Sequence, residues 1–282
     1  MKKITALMVA MVCCALGSMA QPDSTTISIL NDTMPASVSS SYDTIHVGNM
    51  IIVRKGSDRS NPNIYRRNYY ANQNVVTNWF IIDLGFNQVN DKTNYTQAIA
   101  TGYLPAGANS DWFNQRNFKS TNVNIWIFMQ RLNMIKHVVN LKYGAGLELN
   151  NYKYEDNIRF QKTNKPEVIM DVADYRKNKL AADYLTVPVM LNFNFAPERK
   201  NGFGFSAGAS AGYLYSSRQK TVGGGKGKVK YHDDYDLRKF KISYIAELLF
   251  GPIKLYASYA TKSMFKNSLD QTPYNFGIRI SQ

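Results

Sequence analysis

The feature that most constrains the fold of this chain is a two-residue alternation of apolar with small or polar side chains. In 183–195, for example, Leu185, Val187 and Val189 alternate with Thr186 and Pro188. Successive side chains of a β-strand point to opposite faces, so this period is typical of strands with one apolar face. The pattern predicts eight strands, at 79–88, 120–131, 137–150, 183–195, 202–215, 238–250, 253–262 and 273–281.

Two kinds of eight-stranded barrel fit these segments. A soluble barrel such as a lipocalin turns its apolar face inward, whereas a membrane barrel turns it toward lipid. The other face of 202–215 is a ladder of glycine and serine, from Gly204 to Gly212, which cannot fill an oily core but suits a narrow lumen beside Trp126 and Met190. A closed barrel also pairs all of its backbone polar groups in lipid. We therefore predict an all-β, eight-stranded antiparallel transmembrane β-barrel with Leu185 and its apolar neighbours facing outward.

The connections between the predicted strands support the membrane barrel. Segments 89–119, 151–182 and 216–237 are long, whereas 132–136, 196–201 and 251–252 are short. Long loops at one rim and short turns at the other, with both termini periplasmic, are typical of outer-membrane barrels. Aromatic girdles are expected at both rims: Phe80, Phe193, Phe195, Phe203, Phe205 and Phe250 beside the short turns, and Tyr213, Tyr215, Phe240, Tyr244, Tyr259 and Tyr274 beside the long loops.

Two predicted strands depart from clean alternation. In 120–131 Trp126 and Phe128 fall on the polar face, and Met129 is predicted to face outward with Val123, Ile125 and Ile127. In 238–250 Ile245 and Leu249 fall on the polar face.

The N-terminus has the pattern of a secretory signal peptide. Lys2 and Lys3 precede an apolar run, and small residues lead to a cleavage site after Ala20. Both cysteines lie in this segment, so the mature chain would hold no thiol. We predict a signal peptide over 1–20, a periplasmic leader with a small β-hairpin at Gly48-Asn49 over 21–78, and the barrel over 79–282.

The parity of the strands predicts which charges face the lumen. They are Asp83, Lys142, Glu148, Lys241, Glu247, Lys254 and Arg279. Charges in a narrow lumen must pair or meet water. Counting from the strand ends, Asp83, Glu247, Lys254 and Arg279 lie near the periplasmic rim on neighbouring strands. They are expected to form one structural cluster, with a proton or ion path as the functional alternative.

Enzyme and cofactor chemistry have little support in the sequence. The three histidines fall in different regions, which disfavours a metal site, and the glycine-rich run 223–228 lacks the spacing of a phosphate loop. Ser216, Ser217, His232 and Asp233 share one long loop in no specific catalytic spacing. We expect no cofactor, no enzymatic activity and no sequence-specific nucleic-acid binding.

The net charge of +14 implies anionic partners. Residues 216–239 carry seven Lys/Arg against three Asp, on the predicted outer side. This surplus is compatible with an anionic surface ligand at the loops, and also with ordinary solvated loops beside anionic headgroups of outer-membrane lipid.

Four stretches resemble the PorT-like outer-membrane β-barrel proteins of Bacteroidetes. They are the strand pair 43–53, the first barrel strand 79–87, the segment Tyr184–Leu191 and the closing hairpin from Leu255 to Ile280. The resemblance covers about residues 43–282 and concerns the barrel rather than an activity. The chain departs from the family's usual aromatic C-terminus, since it ends Ser281-Gln282, so recognition by the insertion machinery would rest on Phe276, Ile278 and Ile280.

Three functional hypotheses follow. The first is a non-enzymatic structural or binding scaffold with long basic surface loops. The second, implied by the resemblance, is an accessory component that contacts the proteins of a secretion or assembly complex. The third is an outer-membrane barrel enzyme. Fold alone does not decide among them.

Overall fold

The computed structural model describes the strands β1 (Tyr42–Val47), β2 (Met50–Lys55) and β3 (Asn63–Tyr65), and then residues 73–116, 118–162, 166–197, 202–225, 227–250, 253–267 and 269–280. The chain divides into two units, Met1–Arg67 and Asn68–Gln282. In the first, β2 pairs antiparallel with β1, placing Val47 opposite Met50, and also with β3. The predicted signal peptide lies outside the described residues.

The second unit is built almost entirely of antiparallel strands. Its elements are β4 (Val75–Asp91), the helix α1 (Tyr95–Ala100), a 3-10 turn (Ser110–Phe113), β5 (Thr121–Ile135), β6 (Val139–Tyr154), β7 (Ile158–Lys162), β8 (Pro166–Met170), β9 (Tyr175–Asn194), β10 (Gly204–Gly223), β11 (Lys228–His232), β12 (Phe240–Phe250), β13 (Ile253–Ala260) and β14 (Gln271–Ile280). The helices within the described ranges are too short or too polar to traverse a bilayer.

Eight of these strands close into a ring, which confirms the predicted eight-stranded antiparallel barrel. The hydrogen-bonded order is β4, β5, β6, β9, β10, β12, β13, β14 and back to β4. The remaining strands lie at the long-loop end: β7 and β8 form a hairpin, and β11 pairs with the far end of β10. The strands at this end are longer than predicted, since β9 begins at Tyr175 and β10 runs to Gly223.

The register of the ring fixes the tilt of the strands. Directly opposed residues lead once around the barrel from Asn140 on β6 to Asn150 on the same strand, a stagger of ten residues. A stagger of about 33 Å over eight interstrand spacings of about 4.8 Å corresponds to a tilt of about 40°, as in other membrane barrels. The residues passed on this circuit are Asn192, Ser206, Glu247, Tyr256, Gly277, Gly85 and Asn122.

The apolar face points outward, as predicted. Val189 and Leu191 are 48% and 43% exposed. Met190, which lies between them, and Thr186, earlier on the same strand, are buried. The same parity holds on β14, where Phe276, Ile278 and Ile280 are exposed while Asn275 and Arg279 are buried. An apolar belt of this kind, with polar side chains inside, is the arrangement that a lipid environment favours.

The prediction for Met129 was wrong, because β5 carries a bulge. The pairing with β6 shifts between Trp126 and Phe128, so one extra residue reverses the parity of the rest of the strand. Met129 is therefore buried in the lumen, and Ile127 is exposed. Trp126 lies before the bulge and keeps its predicted inward orientation.

Aromatic rings gather at both rims, as the two predicted girdles require. At the short-turn rim Phe193 stacks on Phe205 with ring centroids 4.8 Å apart; at the long-loop rim Tyr213 lies 5.3 Å from Phe240. On β10 the rise from Phe205 to Tyr213 is roughly 20 Å at about 3.3 Å per residue and a tilt of about 40°. This is close to the apolar band of about 25 Å in membrane barrels.

The glycines of the lumen make room for the bulky side chains opposite them. A Cβ on Gly146 would lie 2.8 Å from a ring carbon of Trp126, and one on Gly144 would lie 2.5 Å from the sulfur of Met129. At Gly208 it would lie 2.1 Å from the carbonyl oxygen of Val189. The small and large residues of the inner face are therefore complementary in volume.

Substitutions of two adjacent residues test this arrangement. Gly208→Leu should prevent folding or destabilise the barrel by about 1–3 kcal/mol or more, because the new side chain has no space in the lumen. Ala209→Leu, whose side chain faces lipid, should leave stability nearly unchanged. The measurement is the heat-dependent shift in gel mobility of membrane-extracted protein. A shift retained by Gly208→Leu and lost by Ala209→Leu would contradict the orientation of the two faces.

Candidate functional site: lumen charges and cap

A chain of four charges crosses the lumen near its short-turn end. The Arg279 guanidinium donates to both carboxylate oxygens of Asp83, from Nε at 2.6 Å and from Nη2 at 2.8 Å. It also donates to Glu247, which accepts a further hydrogen bond from Lys142 Nζ. Two acids and two bases thus neutralise one another where water is largely excluded. We name Asp83, Arg279, Glu247 and Lys142 the charge chain.

The strand register explains why these side chains meet. Asp83 on β4 lies directly opposite Arg279 on β14, because β4 and β14 are the strands that close the ring. Trp126 Nε1 donates to the second carboxylate oxygen of Asp83 at 2.7 Å, and Asn124 contributes a longer contact of 3.3 Å. Asp83 is fully buried, and its carboxylate oxygens are satisfied by these donors.

Three of the four residues predicted to cluster here are in direct contact: Asp83, Glu247 and Arg279. The fourth, Lys254, lies half-buried opposite Arg279 in the register of β13 and β14. The partner that binds Glu247 on its other side is Lys142, which parity placed in the lumen but not in this cluster. The alternation of a strand predicts which face a side chain lies on, but it does not predict whether a lysine on β6 is long enough to contact Glu247 across the lumen.

A second ion pair lies further along the lumen. Lys241 Nζ donates to Glu148, and the Lys241 ammonium lies 4.6 Å from the centroid of the Tyr184 ring. Glu148 also accepts from Asn150 at 3.1 Å and from Thr186 at 3.3 Å. The side chain of Lys241 is thereby held inside the barrel wall.

Little free space remains between these groups. Ile81, Trp126, Met129 and Met190 form a buried apolar block, against which Ile245 packs. The cavity beside this block, lined by the carboxylates of Asp83, Glu148 and Glu247, the guanidinium of Arg279 and their neighbours, has a volume of about 30 Å³. A water molecule needs about 10–15 Å³ of such space, so this cavity has room for about two waters and the lumen around it is packed.

The connections at the long-loop end form a second, larger apolar core, which we name the cap. It joins α1, the 3-10 turn, the β7–β8 hairpin and the segments around Leu237 and Phe265 to the upper ends of β6, β9 and β10. Phe160 lies at its centre, with its ring 5.9 Å from those of Tyr154, Tyr235 and Phe265. The alternation of the strands did not predict this core.

Buried amides hold the cap to the barrel. The Gln219 side chain of β10 accepts a hydrogen bond from the Phe160 amide at 3.0 Å and donates to the Ile158 carbonyl at 2.8 Å. It donates also to Asn178 of β9 at 2.9 Å. Burial raises the pKa of Tyr235 to about 12, as expected of a phenol in a dry cap. Asn178 continues the inward alternation of β9 beyond its predicted start, which is the sequence signal that could have revealed it, whereas a bulge between Leu214 and Ser216 reverses the parity of β10 before Gln219.

The loop residues considered for catalysis make other contacts. The Ser217 hydroxyl donates to the backbone carbonyl of Asp233 at 2.5 Å, and His232 lies opposite Arg218 in the pairing of β10 with β11. Within the described ranges no group of three His, Cys, Asp or Glu side chains is placed to hold a metal ion. A cavity of about 260 Å³ opens at this rim beside Arg238, Lys241, Tyr184 and Met264.

Removing Arg279 should reveal the energetic role of the charge chain. Arg279→Met leaves the carboxylates of Asp83 and Glu247 buried without their main partner, at an expected cost of about 3–5 kcal/mol. The control is Ile278→Met, one residue away on the lipid-facing side, with an expected change within about 0.5 kcal/mol. The measurement is urea unfolding in lipid vesicles followed by tryptophan fluorescence. Equal stability of the two variants would show that the charge chain contributes nothing to the fold.

Comparison with known proteins agrees with this geometry. A family model described as "Outer membrane protein beta-barrel domain" matches residues 80–261. The match begins in β4 and ends after β13, so it includes most of the strand ring and the cap. No curated protein matches the chain.

Proposed function

The chain belongs to the outer-membrane protein β-barrel domain family, and from this premise we propose that it is a closed, non-enzymatic scaffold whose cap and rim bind ligands at the cell surface. The protein is located in the cell outer membrane. The proposal has two parts, a lumen that passes no solute and a surface that carries the recognition.

The observation that supports a closed lumen is the charge chain together with the packing around it. Arg279 spans from Asp83 to Glu247, and the cavity beside them has room for about two water molecules. An eight-stranded barrel has an interior that side chains can fill. Moving a solute through it would require breaking buried ion pairs, each of which leaves uncompensated charge.

The cap supports the second part of the proposal. We place the long-loop end outside the cell and the short turns in the periplasm, as is usual for bacterial outer-membrane barrels. A loop assembly with its own buried core presents a surface of fixed shape, which lowers the entropic cost of binding. The Ser217 and Asp233 contacts described above favour a structural role for that loop over nucleophilic catalysis.

Electrical recording tests the closed lumen. Purified protein in a planar lipid bilayer should show no single-channel steps, because a passing ion would have to break the buried ion pairs of the charge chain. A porin added to the same bilayer is the positive control, and heat-modifiable mobility verifies that the protein is folded. Reproducible conductance steps from the folded protein would refute the proposal of a closed lumen.

We also propose a second candidate function, an accessory role in a secretion or assembly complex of the PorT-like kind. It is supported by the residue patterns shared with those proteins and by the strand sheet β1–β3, which belongs to a unit separate from the barrel. A small sheet of this kind in the periplasm would offer edges to a partner protein.

Disruption of the central strand of that sheet tests this role. Ile52→Pro removes a backbone donor from β2, which pairs with both β1 and β3, and should abolish cross-linking to the partner. Val172→Ala, at a fully exposed site between β8 and β9, is the control and should retain it. The measurement is chemical cross-linking in intact membranes followed by purification of the barrel. A partner recovered equally with both variants would contradict docking through the sheet.

A further inference from the structure

Four lysines face one another across four neighbouring strands at the long-loop end. Lys153 of β6 lies directly opposite Lys179 of β9, which lies opposite Lys220 of β10, which lies opposite Lys230 of β11. The next row holds Lys177 of β9 and Lys228 of β11 on either side of Val222. We name Lys153, Lys177, Lys179, Lys220, Lys228 and Lys230 the lysine face.

The lysine face lies on the outside of the barrel wall. Asn178, Leu180, Gln219 and Thr221 are all buried in the interior, so the alternating residues Lys179 and Lys220 point outward. Lys228 and Lys230 are exposed, and the other four lysines are half-buried.

Like charges placed directly opposite each other destabilise a sheet. None of the six lysines forms an ion pair within the described residues, and Asp183, whose charge acts on Lys179, is bound by Arg218. Lys179 Nζ donates only to the neutral amide of Asn151, at 2.5 Å. Among the described residues, the row therefore has no acid in direct contact with it.

Burial and the neighbouring positive charges both disfavour the protonated form of the central lysines. Burial first, and then the charges of Lys177, Lys220 and Arg218, lower the pKa of Lys179 to about 8. Burial and the charges of Lys228, Lys177 and Lys230 likewise lower the pKa of Lys220. A bound anion would relieve this repulsion and restore full protonation.

The position of the lysine face relative to the membrane identifies the anion. Along the outer side of β10 the residues run from lipid-facing Ala211 through the girdle residues Tyr213 and Tyr215 to Arg218 and Lys220. Lys220 is roughly 10 Å above Tyr215, given about 3.3 Å per residue, the tilt and one bulge. A lysine stem can extend back toward the membrane by snorkelling, which brings its ammonium to the headgroup layer.

We propose that the lysine face binds the phosphate groups of phosphorylated glycolipid headgroups in the leaflet at the long-loop end. The inference depends on the proposed function only through the placement of that end outside the cell. Three interstrand spacings of about 4.8 Å separate the outermost lysines of the row, so the row suits a headgroup with more than one phosphate. Ammonium groups bind phosphate as point charges, without the planar geometry that arginine would impose.

The test is titration of detergent-solubilised, full-length protein with a fluorescent glycolipid that carries two phosphates on a disaccharide. Forms of the same lipid with one phosphate and with none are titrated in parallel. Wild-type affinity should fall in that order and should fall again as salt is raised. Equal binding of the form without phosphate would overturn the proposal, because acyl-chain contacts alone would then account for binding.

The decisive variant is Lys179→Gln combined with Lys220→Gln. It should weaken binding of the two-phosphate lipid at least about tenfold, and its thermal unfolding temperature in detergent should be unchanged or higher, because repulsion within the row is relieved. The matched control is Lys239→Gln combined with Lys266→Gln, which removes two exposed lysines outside the face and should change affinity less than about twofold. Unchanged affinity of the Lys179/Lys220 variant would overturn the proposal.

Two further probes separate the sources of the anion. Inorganic pyrophosphate should compete only at concentrations far above those of the lipid; competition at equal concentration would overturn the assignment to a lipid. An acidic polysaccharide without phosphate should bind weakly, and binding of equal strength that is also lost in the Lys179/Lys220 variant would overturn the assignment to phosphate. Channel conductance by the wild type would refute the closed lumen while leaving the lipid result intact.

Discussion

The constraint on which this structure depends is that each backbone amide and carbonyl in the membrane must be paired within the protein. The pairing of β14 with β4 meets it, because it joins the last strand to the first and leaves no open edge in the ring. Closure with a stagger of ten residues then fixes the tilt and the width of the lumen. Gly144, Gly146 and Gly208 are consequences of that width, because Trp126, Met129 and Met190 occupy the space that side chains at these positions would need.

The same narrow lumen explains the arrangement of its charges. An isolated carboxylate at the position of Asp83 would lose its hydration, and the loss would exceed what a single neutral donor can restore. The guanidinium of Arg279 solves this by binding Asp83 with two nitrogens and Glu247 with the third. Lys142 completes a set with no net charge. Because each member depends on its neighbours, the set favours one packing of the lumen, which supports the proposal that the lumen is closed.

Much of the barrel could be predicted from the sequence, because the period of two on a strand depends on local geometry alone. Eight strands, their outward faces and three members of the charge cluster followed from parity. Met129 could not be placed, since the bulge after Trp126 is set by packing against β6. The contact of Lys142 with Glu247 could not be predicted either, because it depends on the distance across the lumen. Leu249, in contrast, was placed correctly. The alternation puts this apolar residue on the inner face of its strand, and it lies on that face in the structure.

The apolar core of the cap could not be predicted from the sequence for a different physical reason. Its central ring, Phe160, contacts Tyr154 at the end of β6 and also Tyr235 and Phe265, which belong to two other connections of the chain. Contacts between distant segments leave no period in the sequence of any one of them. The sequence therefore predicts basic surface loops in these segments, whereas Tyr235 and Asp236 are buried in the structure. Only the continued alternation at Asn178 indicated that β9 extends into a packed region, because on β10 the bulge between Leu214 and Ser216 reverses the parity before Gln219.

Taken along the barrel axis, the chemistry of the outer wall changes in one direction, from aliphatic side chains through the tyrosine girdle to the lysine face. On the inner wall, in contrast, each residue of the charge chain contacts a residue of opposite charge. A row of like charges is retained in a folded protein only where something outside the chain compensates it or where solvent screens it. The half-buried state of Lys179 and Lys220 reduces screening. Within the described barrel, the six lysines that lack an ion pair therefore lie where, on our proposal, lipid headgroups would meet them.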